Sequence, residues 1–281
     1  MTYFMRFPGG RAKALTFSYD DGVEQDIRLI DIFNRHNLRG TFNINTGSFA
    51  PEGTVYAPGT IHRRMTEKRA YELYANSPHE VAVHTLTHPF LEQLPANRIA
   101  DEVLGDRKNI EKLFGKITRG MAYPFGTHSD AVVEVLKACG IVYSRTTKTT
   151  DNFQLPTDWL RLAATCHHNS PNLMNLGKKF TEEKPTHAPW LFYVWGHSYE
   201  FEAKDNWNVI EDFANLVAFH DDVWYATNIE IYDYCQAYQS LLFSTDGSTI
   251  FNPTCYELFF CNSRADRQLY SIKPGETLIL A

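Results

Sequence analysis

A few residues in this chain have the types and spacing for one kind of chemistry. Leu15-Thr16-Phe17-Ser18-Tyr19 reads as an apolar strand that ends abruptly in Asp20-Asp21-Gly22. Side chains alternate along an extended chain, so Asp20 and Asp21 point in different directions. One can bind a cation while the other works beside it. Two unpaired carboxylates at a strand end are costly unless something positive sits there, and a metal ion meets that need. His84-Thr85-Leu86-Thr87-His88 follows a second apolar strand, Val81-Ala82-Val83. On one face of a helical turn, or in a tight loop, both imidazoles can meet one ion. Taken alone, such a pair is a common accident and more often two surface histidines. Its place just past a strand end, like that of Asp20-Asp21, raises the metal reading. His79-Glu80 does not make the metalloprotease motif, because the next histidine comes one position too late.

Two further strand ends belong with these. Gly120-Met121-Ala122-Tyr123-Pro124-Phe125-Gly126 runs into a proline that stops the ladder and exposes neighbouring backbone N–H groups. Such groups can hold a developing oxyanion, although an ordinary strand-to-helix turn reads the same way. Phe192-Tyr193-Val194-Trp195-Gly196-His197 ends in a histidine placed to act as a general acid. Thr41-Phe42-Asn43-Ile44-Asn45 puts Thr41, Asn43 and Asn45 on one polar face, which borders either a wet site or bulk solvent.

Positioning these groups requires alternating strands and helices. Strands are expected at 12–19, 41–45, 80–83, 118–123, 141–143, 159–164, 190–195 and 223–225. Helices are expected at 24–36, 66–74, 95–114, 129–138, around 172–180, 206–219 and 228–240. Repetition of strand and helix implies parallel strands with helical crossovers, and the expected fold is an α/β barrel of βα units with its site at the strand C-termini. From Ser244 onward the periodicity changes to short alternating runs broken by Asp-Gly, Asn-Pro and Pro-Gly. The expected domains are a barrel over 1–241 and a small antiparallel β extension over 242–281 packed on it. The extension could cover an edge, bind a ligand or mediate a homodimer.

The chain has 281 residues and a formal net charge of -6, which argues against nucleic acid and an anionic membrane as partners. Cys139, Cys166, Cys235, Cys255 and Cys261 contain no Cys-x-x-Cys pair and read as incidental thiols. Residues 1–14 lack a continuous apolar stretch, so no signal peptide is seen and the expectation is a cytoplasmic location, or a secreted one if a leader has been trimmed.

Together these motifs resemble the NodB-type polysaccharide deacetylases, carbohydrate esterase family four. The first family motif, Thr-Phe-Asp-Asp-Gly, is approximated by Ser18-Tyr19-Asp20-Asp21-Gly22, and the second, His-Ser/Thr-x-x-His, is matched by His84 to His88. The resemblance spans roughly residues 10–240 and implies a distorted (β/α)7-type barrel that removes acetyl groups from N- or O-acetylated sugars. It implies Asp21, His84 and His88 as ligands of one divalent metal ion, with zinc first and cobalt, nickel or manganese as alternatives. It implies Asp20 as general base and His197 as general acid, with the Phe125 N–H at the oxyanion. Tyr123, Trp159 and Asn45 are expected to contact the acetylated sugar. The arginine of the family's third motif is replaced by Ala122, so a cation for the base must come from elsewhere. Alternation in Trp159-Leu160-Arg161-Leu162 nominates Arg161, with Trp159 on the same face lining the acetyl pocket. An allantoinase-like amide hydrolase and a silent sugar-binding protein are the alternatives. The first class usually lacks part of the metal triad, which is whole here.

Overall fold

The computed structural model describes residues 2–263 and 268–280. Strand β1 (Tyr3–Arg6) leads to β2 (Lys13–Asp20), which is buried along its whole length. Next come α1 (Asp26–Arg35), β3 (Gly40–Ile44), α2 (Glu67–Tyr74), β4 (Glu80–Val83), α3 (Ala96–Phe114), β5 (Gly120–Ala122), α4 (Asp130–Ala138) and β6 (Tyr143–Thr149). The second half adds β7 (Leu162–Ala164), β8 (Cys166–His167), α5 (Leu173–Glu182), β9 (Trp190–Gly196), α6 (Tyr199–Ala203), α7 (Asn208–Val217), β10 (Val223–Tyr225) and α8 (Asn228–Gln239). Five short strands follow: β11 (Leu242–Phe243), β12 (Thr249–Phe251), β13 (Leu258–Asn262), β14 (Leu269–Ile272) and β15 (Thr277–Ile279).

The central sheet is parallel, in the order β7-β6-β5-β4-β3-β2-β9-β8. β2 is its hub. It pairs with β9 along one edge, and shares the other between β10 at Lys13–Leu15 and β3 at Phe17–Asp20. The sheet ends meet through one stretch of chain: β7 pairs with β6, β8 pairs with β9, and the Thr165 N–H between them donates to Tyr193 O at 2.8 Å. The result is an open, distorted α/β barrel, as the strand–helix alternation implied.

Alternation on β2 explains its two faces. Phe17 and Tyr19 turn outward to the helices, where the Phe17 ring meets Phe33 at 4.5 Å. Each buried aromatic of this kind contributes on the order of 2 kcal/mol. The inward residues are polar and hydrogen-bonded, as burial requires. Thr16 Oγ1 donates to Asn228 Oδ1 at 2.8 Å, and the Asn228 N–H donates to Thr41 Oγ1 at 3.0 Å. Helix α8, fixed by a capping box between Thr227 and Glu230, therefore seals the barrel floor with its N-terminus. The functional groups have to gather at the opposite end.

Three elements differ from expectation. The strand expected at 141–143 begins only at Tyr143 and runs on to Thr149 through a Thr- and Lys-rich stretch. Residues Trp159–Arg161 form a 3-10 turn capped by Asp158, and the strand begins only at Leu162. The C-terminal strands form two sheets rather than one appendage, and β13 pairs with β1, so residues 3–6 lie in a C-terminal sheet. No helix among the described residues is long and apolar enough to cross a membrane.

Candidate active site

Asp20 closes β2, and the Asp21 N–H still donates to Asn43 O at 2.9 Å. The chain then turns: Asp21 has φ 87, Thr85 φ 67, His88 φ 61 and Phe125 φ 59. Left-handed backbone is uncommon outside glycine, and its concentration around one site marks a shape held by surrounding contacts. Arg64 supplies much of that hold. Its guanidinium donates to the Asp21 backbone carbonyl, to Asn45 Oδ1 at 2.8 Å and to Asp21 Oδ1 at 3.1 Å. His62 Nε2 donates to the other oxygen, Asp21 Oδ2, at 3.1 Å. Burial favours the neutral acid, yet the His62 hydrogen bond and the nearby Arg64 charge hold Asp21 well below the usual carboxylate range.

His84 and His88 lie on a tight loop rather than a helical turn. Helix α3 fixes it from below. Asp106 accepts from the His84 N–H at 3.0 Å and the Thr46 N–H at 2.7 Å, while Glu102 accepts from the Thr87 N–H at 2.8 Å. His84 Nδ1 lies 2.8 Å from the Ala122 carbonyl, which can only accept, so Nδ1 carries the proton. Its Nε2 lone pair is left buried without a protein partner, 4.0 Å from both Asp20 and Asp21. Burial pushes the His84 pKa down to about 4, which keeps the ring neutral. One ligand atom each from Asp21, His84 and His88 falls within 4.8 Å of the others. An orphaned imidazole nitrogen facing a carboxylate and a second imidazole fits a divalent cation.

The base candidate Asp20 is almost fully buried and accepts from Asn43 Nδ2 at 2.9 Å. Its cation is Arg145, not Arg161. Arg145 Nη2 forms an ion pair with Asp20 Oδ2, and the guanidinium lies over the Trp195 ring at 4.4 Å. The register explains the substitution, because Ala122 of β5 is the Cα partner of Arg145 on β6. The small side chain at 122 leaves room, and the arginine arrives from the neighbouring strand. Burial would raise the Asp20 pKa, but the Arg145 and His197 charges outweigh it and hold the carboxyl below its ordinary value. Arg161 instead pairs with Asp130 at 2.5 Å and Asp158 at 2.8 Å on the exposed rim, because its strand has not yet begun.

His197 Nδ1 lies 2.8 Å from Glu200 Oε1, and its Nε2 faces Asp20 Oδ2 at 3.9 Å. Burial works against the imidazolium, but the Glu200 hydrogen bond and the Asp20 and Asp21 charges raise its pKa above the ordinary value. Ser198 Oγ donates to the buried Asp26 at 2.5 Å, tying the His197 loop to α1.

The expected sugar contacts are mostly employed elsewhere. Asn45 Nδ2 donates to the His84 carbonyl and to Thr85 O at 3.0 Å, so this side chain clamps the histidine loop. The Tyr123 hydroxyl donates to Leu160 O at 2.7 Å, and the ring is buried. Trp159 packs edge-on against Tyr232 of α8 at 5.2 Å, towards the floor helix. The tryptophan beside the base is Trp195. Phe125 alone of the four stands at the open rim, 49% exposed. Sequence reading missed Arg145, Arg64 and Glu200. The alternation of Tyr143 and Arg145, and the three-residue step from His197 to Glu200, were the available signals.

A parallel α/β barrel with Asp, His and His converging at its strand C-termini is a hydrolase architecture of one kind. Residues 8–144 match the family model for polysaccharide deacetylase, in keeping with the family that the motifs resemble. A polysaccharide deacetylase candidate from Mycobacterium smegmatis is similar at 17% identity over 83% of this chain and 93% of that one, with TM-score 0.57. A variant of the peptidoglycan deacetylase PdaC from Bacillus subtilis is similar at 14% identity over 83% and 96%, with TM-score 0.51. The Streptococcus pyogenes deacetylase PplD matches at 20% identity and TM-score 0.42, and this chain spans only 55% of it. At these identities the likeness is one of fold.

Proposed function

We propose that this chain is a metal-dependent hydrolase that removes acetyl groups from an N- or O-acetylated carbohydrate. The convergence of Asp21, His84 and His88 within 4.8 Å, beside Asp20 and His197, carries the reading. Those three residues would hold a divalent ion, zinc first on this N/O donor set, which when bound supplies a Lewis acid at the acetyl group.

The remaining work falls to the chain. Asp20, kept ionised by Arg145, takes the proton of the attacking water. The Phe125 N–H, presented by its left-handed turn, donates to the oxyanion of the tetrahedral intermediate. His197 donates its Nε2 proton to the departing sugar nitrogen or oxygen, while Glu200 holds Nδ1. Base and acid stand 3.9 Å apart, too far for a hydrogen bond, so each is free to meet a substrate atom.

The test is acetate release from acetylated chitin, peptidoglycan and xylan fragments, before and after metal stripping. Activity restored by roughly one equivalent of ion, and abolished in His84→Ala, supports the reading. Release that survives stripping overturns metal dependence, and no release from any loaded sample overturns the deacetylase reading.

A further inference from the structure

We propose that Phe90 and Phe125 form a stacking platform for the apolar face of a neighbouring sugar residue, next to the one that carries the acetyl group. This rests on the deacetylase reading. The two rings are stacked face to face, with centroids 3.8 Å apart and an interplanar angle of 10°, so each backs the other and the outer side of the stack is what a ligand would meet. Phe125 is 49% exposed and Phe90 39% exposed. An apolar pair on an otherwise polar rim has a reason to be there only if something apolar and flat lands on it.

The pair is built rather than incidental. Thr127 Oγ1 donates to Glu92 Oε2 at 2.8 Å, joining the segments that carry the two rings. Gly126 is pressed on Thr147 of β6, where a Cβ would collide, so the turn presenting Phe125 is pinned to the barrel. The Phe125 ring stands edge-on to His88 at 4.5 Å, and His88 stands edge-on to His84 at 4.8 Å. The pair therefore adjoins His88 and flanks the candidate site at its open rim.

A pyranose ring suits this surface. Its C–H faces are apolar and its hydroxyls project from the edge, so it can cover an aromatic ring without stranding a polar group. A lone acetylated monosaccharide lacks the neighbouring residue that is the proposed occupant.

The experiment compares metal-loaded wild type, Phe90→Ala and Phe90→Trp on N-acetylglucosamine and N-acetylchitotetraose. Phe90 is chosen because the Phe125 backbone has its own proposed role. In Phe90→Ala the ratio of kcat/KM between tetramer and monomer should fall about tenfold, through KM for the tetramer. Phe90→Trp should keep the wild-type ratio. An unchanged ratio in Phe90→Ala, or loss of the ratio in Phe90→Trp, overturns the platform. Should wild type release no acetate, the deacetylase reading has failed, and calorimetric binding of the tetramer then decides the platform separately. Binding weakened about tenfold in Phe90→Ala supports it, and equal or absent binding in both proteins overturns it.

Discussion

Arg145→Gln is the change that most directly tests how the base is held. Arg145 and Asp20 are both buried, with side chains 1% and 3% exposed, and their ion pair has no exposed substitute. Removing one partner of such a pair leaves an uncompensated buried charge, at a cost of about 3–5 kcal/mol. Part of that cost is avoided when Asp20 takes up a proton, so its pKa must rise. The expected result is a fall in kcat of about 100-fold or more near neutrality, with KM changing far less, because the residue touches the base and not the sugar. The acidic limb of the pH–rate profile should move to higher pH, since a wild-type Asp20 pKa below its ordinary value is released upward. Arg145→Lys should recover only part of the loss, because an ammonium reproduces neither the fork nor the stacking on Trp195 at 4.4 Å. Urea denaturation gives the second readout. Asp20→Asn combined with Arg145→Gln should be more stable than Arg145→Gln alone, because the stranded charge is gone. Arg161→Gln, on the exposed rim, should remain within about twofold of wild type in kcat. A normal acidic limb in Arg145→Gln, or equal damage from Arg161→Gln, would refute the assignment.

Two other outcomes follow from the neighbouring groups. Glu200→Gln removes the carboxylate that favours the His197 imidazolium, so the basic limb should move to lower pH, measurable in the same profiles. Asp26 is buried with its pKa raised to about 7, so the native state binds more protons than the unfolded chain between roughly pH 4 and 7. The Asp26 contribution to stability is therefore lost as pH rises through that window, by at most about 4 kcal/mol, and Asp26→Asn should remove that contribution from the difference between urea titrations at pH 5 and pH 8.

Much of this arrangement was legible in local pattern. Alternation located β2 and showed that Asp20 and Asp21 diverge, and the paired histidines announced themselves after an apolar strand. What escaped depends on pairing across the sheet. Nothing local to Ala122 says that its neighbour in register is Arg145, and a strand that turns polar after Tyr143 looks like a loop. Asn45 read correctly as part of a polar face, but its partners lie on the histidine loop, far away in sequence. Trp159 and Arg161 were misplaced for the opposite reason. Their apparent alternation is that of a tight turn, which the Asp158 cap creates by accepting the Leu160 and Arg161 N–H groups.

The pairing of β1 with β13 has a bearing on how the molecule comes to be made. Tyr3–Arg6 precedes the barrel in the chain and, among the described residues, finds its ladder partner only in Phe259–Asn262, on the far side of it. Met5 and Phe7, both core residues, must wait for nearly the whole chain before their surroundings exist. So long a closure is slow to find, and it makes β13 a lock on β1 rather than an ornament. Shortening the protein at the end of α8 to obtain a bare barrel should instead strip its opening strand and leave a sticky edge.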